Sequence, residues 1–309
     1  MVVRYKRPVV YDAMYLADLE RYRVSYRRLQ AKLARDEVQY FNPVLPAKDL
    51  VYRELEHVRL GLGRLPETTY SVTPGKVLRL LHEQPTLWLK PVYGSGGRNI
   101  LYVERIGSTT YRVIAERFFA GRIVRNVDRR DLLRLLRYAM HRRIYLAQEN
   151  VPLIRTDDGR KIDFRVTVQR TDTGTWTVAA VTARVGGAGA VLTNYHAGGR
   201  VVSISHWNDT TTKWLTDLGF DEVQFQRSKK LAVRVARVLQ RKRPTLGLLG
   251  VDIGATADGR LFVYDFNGRP GRDILTDSEM EGLMWRLAGF ARYLLDRQDG
   301  DTHGLEDLR

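Results

Sequence analysis

Apolar positions along the chain alternate between two periods, and each change of period marks an element. Met14, Leu16, Leu19, Tyr22, Tyr26, Leu29 and Leu33 recur at three- and four-residue spacings among many charges, which predicts a surface-lying helix over 12–35. Gln39 to Pro43 reads as a short strand ending at FNP. Asp49 to Gly61 and Thr73 to Glu83 read as helices, the second with Pro74 at its first position and Thr73 as its cap. Thr86 to Val92 and Ile100 to Arg105 are β-rich runs flanking the glycine loop YGSGGRN. A glycine-bearing turn between two apolar runs predicts a hairpin. Thr110 to Glu116 continues that sheet, a helix follows over about 129–142, and Ile144 to Gln148 is a strand that reaches a polar loop at Glu149 to Pro152.

From Asp163 the alternation becomes long. DFRVTVQR, a turn at Thr171 to Gly174, and TWTVAAVTARVG predict a second hairpin. A glycine-rich loop containing TNYHAGG occupies 188–200. After it come a basic helix, the strand LLGVDIGA, a turn at Asp258 and Gly259, the strand LFVYDFN, and the turn RPG. The last helix opens on a capping box from Thr276 to Glu279 and carries Met280, Leu283, Met284, Leu287, Ala291 and Leu294 as its buried stripe, with Thr302 to Arg309 as a polar tail. The predicted class is α+β, with antiparallel sheets and helices segregated to their faces.

Composition narrows the function classes. With 309 residues and 44% hydrophobic content, the chain can bury two cores or one large one, which rules out disorder. It has no cysteine, so disulfides, thiolate metal sites and a cysteine nucleophile are excluded. The N-terminal apolar run is broken at Arg4, Lys6, Arg7 and Asp12, unlike a signal peptide, and no 18-residue apolar stretch could span a membrane; the cytoplasm is the compartment this implies. Lys and Arg number 51 against 35 Asp and Glu, a net charge of +16 that suits a polyanion, an acidic substrate or phosphates. Lys230, Arg234, Arg237 and Arg241 form one stripe of the basic helix, which reads either as a solvated face or as a docking face for a polyanion. Further basic clusters at 21–35 and 129–143 disperse the charge, and no aromatic-interleaved motif accompanies it. Nucleic acid is therefore the weaker partner.

Common nucleotide signatures are absent: there is no G-x-x-x-x-G-K-[ST], and Asn99 stands where a third glycine would follow Gly94 and Gly96. What remains is a lysine inside a β run. Lys90 shares a strand face with Trp88 and Val92, where an ammonium is costly unless paired with an anion. Gly94, Ser95, Gly96 and Gly97 could drape backbone N–H groups over phosphates; a tight hairpin with a snorkelling lysine is the plain alternative. Asp252 lies on one strand, with Asp265 and Asn267 on the next. These oxygen donors suit Mg²⁺, although Asp and Asn also terminate strands. Asp163 and Arg165 share a face, as expected of an anion-reading arginine held by a carboxylate. His196 could serve as an acid, a base or a phosphate ligand, but a lone loop histidine is more often none of these.

In order and spacing, LWLKPVYGSGGRNI, DFRVTVQ, TARVG, TNYHAGG, GVDIG and GRLFVYDFNGRPG resemble the ATP-grasp superfamily. With FNP, RLPETT and the Trp176 strand added, residues 40 to 295 resemble the YheC/YheD-type ATP-grasp proteins associated with bacterial endospore coats. The TNYHAGG loop is similar to that of the ribosomal-protein glutamate ligases.

The resemblance implies ATP gripped between a small subdomain over 46–148 and a large one over 149–309, preceded by a reduced region over 1–45. It places Lys48, Lys90 and the loop Gly94, Ser95, Gly96 and Gly97 on the phosphates, and Gln148, Glu149 and Val151 at the adenine and ribose. Arg165 and Arg184 fall on the phosphate or acyl phosphate, Asn194, His196 and Gly198 on the substrate side, and Asp252, Asp265 and Asn267 on Mg²⁺ or Mn²⁺. The implied reaction is ATP-dependent ligation of a carboxylate to an amine or thiol through an acyl phosphate. Its acceptor would be acidic, a peptide, protein or amino-acid polymer, and its setting the cytoplasm of the mother cell or the spore coat. A non-catalytic nucleotide-binding coat-assembly protein is the rival reading. Two departures from the family stand out: Asp265 replaces the usual glutamate, and only about 45 residues precede the pattern, so where substrate binds is left open.

Overall fold

The computed structural model describes residues 8–14, 18, 21–94, 96–118, 121–191, 193, 199–204, 206–208 and 210–306. In chain order the elements are β1 (Val9–Tyr11), α1 (Arg23–Arg35), β2 (Gln39–Phe41), α2 (Lys48–Glu56), β3 (Thr68–Thr69), α3 (Pro74–Glu83), β4 (Thr86–Pro91), β5 (Leu101–Arg105), β6 (Thr110–Phe118), β7 (Gly121–Asp128), α4 (Arg129–Arg142), β8 (Tyr145–Glu149), β9 (Ile162–Arg170), β10 (Trp176–Val185), β11 (Arg200–Ser203), α5 (Lys213–Thr216), α6 (Glu222–Gln240), β12 (Leu248–Ala255), β13 (Leu261–Asn267) and α7 (Asp277–Glu306).

Two antiparallel sheets carry the architecture: a six-stranded one in the order β3-β8-β4-β5-β6-β7 and a five-stranded one in the order β11-β10-β9-β12-β13. Each sheet has its own core. Thr73 caps α3 with Pro74 at its start, Asp128 caps α4, and the two helices bury Val77, Leu81, Leu132 and Leu136 on Leu87, Leu89, Val103 and Val113 of the smaller sheet. A capping box between Asp221 and Gln224 opens α6, which lays Phe225, Leu231, Val235 and Leu239 on Phe164, Val166 and Val168 of the larger sheet. The even-numbered residues of β9 are thus buried under α6, which leaves odd-numbered Asp163 and Arg165 on the opposite face, as the alternation in DFRVTVQR requires. α7 covers the far end of that second face through Leu283, Leu287 and Phe290, packed with Phe41 and Leu248.

Several boundaries differ from expectation, each for a local reason. Residues 121–128, read as no element, form β7: most of its side chains are exposed, so it carries no apolar alternation. Arg200, expected in a loop, and residues 201–203, assigned no element, pair with β10, and 302–306 continue α7 instead of forming a tail. Within the stretch 12–35 the described helix is α1, from Arg23 onward. Val51, Leu55 and Leu60 pack in the larger sheet's core, although the sequence groups 46–148 with the smaller one.

The basic helix is partly accounted for by its neighbours. Arg234 donates to the Arg59 carbonyl at 2.6 Å, Arg227 to that of Leu62 at 3.3 Å, and Arg243 grips Glu54 of α2 with two bonds of 2.9 Å. Part of the positive stripe therefore fastens α2 and its following loop to α6.

Candidate functional site

Where the two sheets face each other, charged side chains from both converge. Lys90 from β4 is buried and donates to the Tyr264 carbonyl of β13 at 3.2 Å, with its ammonium 5.2 Å from the Tyr264 ring centre. The Tyr52 hydroxyl donates to the same carbonyl. Lys48, at the start of α2, donates to Asp265 at 2.6 Å. Burial pulls Lys90 down to about 8, against the pull of Asp265 to keep it charged.

On the larger sheet, strand register sets the pairing. Arg165 lies opposite Asp252 across β9 and β12, and binds it with bonds of 2.7 and 2.9 Å. Arg184 lies opposite Asp163 across β9 and β10, binds it with bonds of 2.7 and 2.6 Å, and reaches Asp252 at 2.9 Å. The carboxylate that holds Arg165 is therefore Asp252, on a neighbouring strand, and not Asp163 on its own strand as the shared face suggested. Fully buried Asp163 also accepts from Thr193 at 2.5 Å and from the Tyr264 hydroxyl. Burial by itself would raise Asp252, but the Arg165 and Arg184 guanidiniums outweigh it and hold the carboxyl well below the usual range. Glycine at 250 lets Pro270 approach the strand closely; a Cβ there would meet the Pro270 Cβ at 2.9 Å.

The connection after β8 supplies the other end of the cleft. Gln148 is buried and its side chain donates to Thr68 at 3.0 Å, while its side-chain oxygen Oε1 has no hydrogen-bond partner among the described residues. Glu149 is pinned by the Glu67 N–H at 2.9 Å and by Arg64 at 3.0 Å, and Val151 is buried beside them. In the glycine loop, Gly94, Gly96 and Gly97 all have positive φ; Gly96 and Gly97, at +64° and +72°, take the left-handed conformation that favours glycine. Arg117 holds the loop through the Gly96 carbonyl at 3.1 Å. Ser95, Asn194, His196 and Gly198 lie outside the described residues.

Sequence reasoning missed Lys161, Thr193 and Tyr264. Lys161 precedes Asp163 and Arg165 on one face, so period two in KIDFR was the available signal. It is buried, sits 5.0 Å from the Trp88 ring centre and 5.4 Å from that of Tyr102, and has no carboxylate partner among the described residues. Burial and nearby Arg155 bring it to about 8. Lys161, Lys90, Trp88, Gln148, Thr193 and Tyr264 line one pocket. Counting Lys48, Lys90, Arg165 and Arg184 against Asp163, Asp252 and Asp265 leaves one positive charge, and Lys161 makes two.

Asp265 lies beside Asp252 in strand register, and Asn267 two residues further on. Oxygen donors of this kind match a hard divalent cation. Asp252 already serves two arginines, and no cluster of three or more acidic or histidine groups forms a metal cage among the described residues. The donors left for an ion are Asp265, which accepts from Lys48, and Asn267, whose Oδ1 accepts from the Arg269 N–H at 3.0 Å, so an ion bound there would need ligand oxygens and water to complete its shell.

A YheC/D-like ATP-grasp family model matches residues 37–294. The chain belongs to that family. It is 22% identical to the endospore coat-associated protein YheD of Bacillus subtilis over 273 residues, 87% of this chain and 58% of the relative, and 22% identical to YheC of the same organism over 76% of this chain and 63% of the relative. The chain therefore spans less than two thirds of the length of either. Among solved structures, a D-alanine–D-alanine ligase from Coxiella burnetii superposes with a TM-score of 0.56 at 14% identity, covering 99% of this chain and 74% of that one, which shows the shared fold. The two sheets described above are the two halves of this ATP-grasp fold.

Proposed function

We propose that this ATP-grasp chain is an ATP-dependent ligase that activates a carboxylate by phosphorylation and passes the acyl group to an amine or similar nucleophile. The observation that carries the reading is the cationic cleft, in which Lys90 of the smaller sheet meets Arg165, Arg184 and Asp265 of the larger one, with Lys48 at the start of α2 beside Asp265. Its surplus of one or two positive charges complements a magnesium-bound nucleoside triphosphate, which carries roughly two negative charges.

In this reading the purine lies in the pocket at Gln148, Val151 and Lys161, and the phosphates run toward Lys90, Lys48 and the glycine loop. Mg²⁺ or Mn²⁺, when bound at Asp265 and Asn267, neutralises charge on the transferring phosphoryl group. Lys90 follows the phosphate charge as it shifts, and Lys48 exchanges Asp265 for a phosphate oxygen. The substrate carboxylate oxygen attacks the γ-phosphorus, ADP leaves, and the nucleophile then displaces phosphate from the acyl phosphate. Arg165 and Arg184, fixed by buried carboxylates, offer charge at that end without reorganising. The acceptor class proposed is an acidic peptide, protein or amino-acid polymer. Association with a spore coat is proposed from the descriptions of YheC and YheD.

Incubating the protein with Mg·ATP and a cell extract, followed by mass spectrometry, should reveal new amide products together with ADP. Nucleotide binding without ADP release in any fraction would instead favour a coat-assembly role.

Nucleotide binding should also take up protons. Lys90 and Lys161 are both near half-charged at about pH 8, and phosphate oxygens beside Lys90 favour its ammonium form. Calorimetry at pH 8.5 in buffers of different ionisation enthalpy should show about one proton bound per nucleotide, falling to none near pH 6.5. Without ligand the sign reverses: between about 8 and the ordinary 10.5 only the unfolded chain keeps these protons, so stability contributed by the two lysines rises with pH across that window.

A further inference from the structure

β10 is paired on both sides for only part of its length. β9 pairs with it from Trp176 to Val185, but β11 pairs only with Thr182 to Val185, and the last bond on that side runs from the Ile204 N–H to the Val181 carbonyl at 2.7 Å. Among the described residues no strand lies on the outer edge of 176–180, so a short open ladder remains. A bulge at Ala179 interrupts the register with β9 at the same place. Open edges of this kind are where extended segments add.

The edge lies in a groove between helices. Val178 and Val181 pack on the α6 side and Ala179 on the α7 side. Lys229 from α6, Arg286 from α7 and His206 line the same groove. No carboxylate pairs with Lys229 or Arg286 among the described residues; Lys229 rests over the Phe225 ring at 5.1 Å, and the buried Arg286 Nε has no hydrogen-bond partner. Glu279 also lines the groove, but its two oxygens are taken by Ser203 at 2.6 Å and by the Thr276 N–H at 2.9 Å. Gly282 presents no side chain, and the Arg286 guanidinium lies close over it; both line the groove together with residues 178–181 of the strand.

We infer that the open edge of β10 between α6 and α7 docks an extended acidic segment of a partner polypeptide as an added strand. Successive side chains of an added strand point to opposite faces. Two adjacent acidic residues would therefore reach Arg286 on one side and Lys229 on the other, while the segment's backbone completes the ladder. The site is separate from the nucleotide cleft, and the inference does not depend on the ligase reading.

The test uses the full chain and a fluorescein-labelled peptide, Thr-Val-Glu-Glu-Val-Thr, followed by anisotropy at low salt. The acidic peptide should bind about tenfold or more tightly than the same peptide with lysines in place of the glutamates. The double variant Lys229→Glu, Arg286→Glu should reverse that preference, a gain that unfolding cannot imitate, and Lys230→Glu on the exposed face of α6 should leave it unchanged. N-methylation of alternate peptide amides should abolish binding while keeping the charge, because the ladder needs those N–H groups. Equal binding of the N-methylated peptide, or an unchanged preference in the double variant, overturns the inference. So does a concentration-dependent dimer that the double variant dissolves, since the occupant would then be a second copy of the chain.

Discussion

Replacing Lys90 with methionine is expected to weaken nucleotide binding by about 100-fold and to cut turnover by a further ten- to hundredfold, while the ligand-free protein becomes no less stable. The two signs follow from one geometry. The ammonium is buried, its one direct hydrogen-bond partner among the described residues is the Tyr264 carbonyl, and that carbonyl also accepts from Tyr52, so removing the amine leaves nothing orphaned. Methionine of similar length fills the space and relieves the desolvation that lowers the lysine to about 8. Only in the nucleotide complex does the loss show, as a missing charge on phosphate. Thermal denaturation with and without Mg·ADP separates the two effects. An apo protein strongly destabilised by this change would mean that Lys90 is structural.

Asp163→Ala should have the opposite character, a cost of about 3–5 kcal/mol in the ligand-free protein. The change removes two buried bonds to Arg184, a buried one from Thr193 and a part-buried one from Tyr264, and leaves Arg184 to share Asp252 with Arg165. A chain of this size should lose roughly 5–8 °C in melting temperature. Arg165→Met should cost less, because Arg165 is more exposed and Asp252 keeps Arg184. A loss of under about 1 kcal/mol for Asp163→Ala would show that the network is not what fixes the larger sheet's cleft face.

Elements with strong local signals were legible in the sequence. The capped helix α3 and the alternating hairpin of β9 and β10 stand near their expected bounds. β7 was not, because an edge strand exposed on most positions has no apolar period to read. At the site, residue types and faces were readable but partners were not. Alternation placed Asp163 and Arg165 together, while cross-strand register, which no single strand encodes, decided that Arg165 meets Asp252 and Arg184 meets Asp163. Lys161 was passed over because a lone lysine before a β run looks like a surface residue until Trp88 and Tyr102 are seen to cover it.

The central claim is that the cleft between the two sheets holds a magnesium nucleotide with its phosphates at Lys90. Calorimetric titration of Mg·ADP into the purified protein tests it most directly. Binding should be saturable at one site per chain, about 100-fold weaker in Lys90→Met and unchanged in Lys230→Glu. Absence of heat and of any thermal shift at millimolar nucleotide, or binding that Lys90→Met leaves intact, would contradict it.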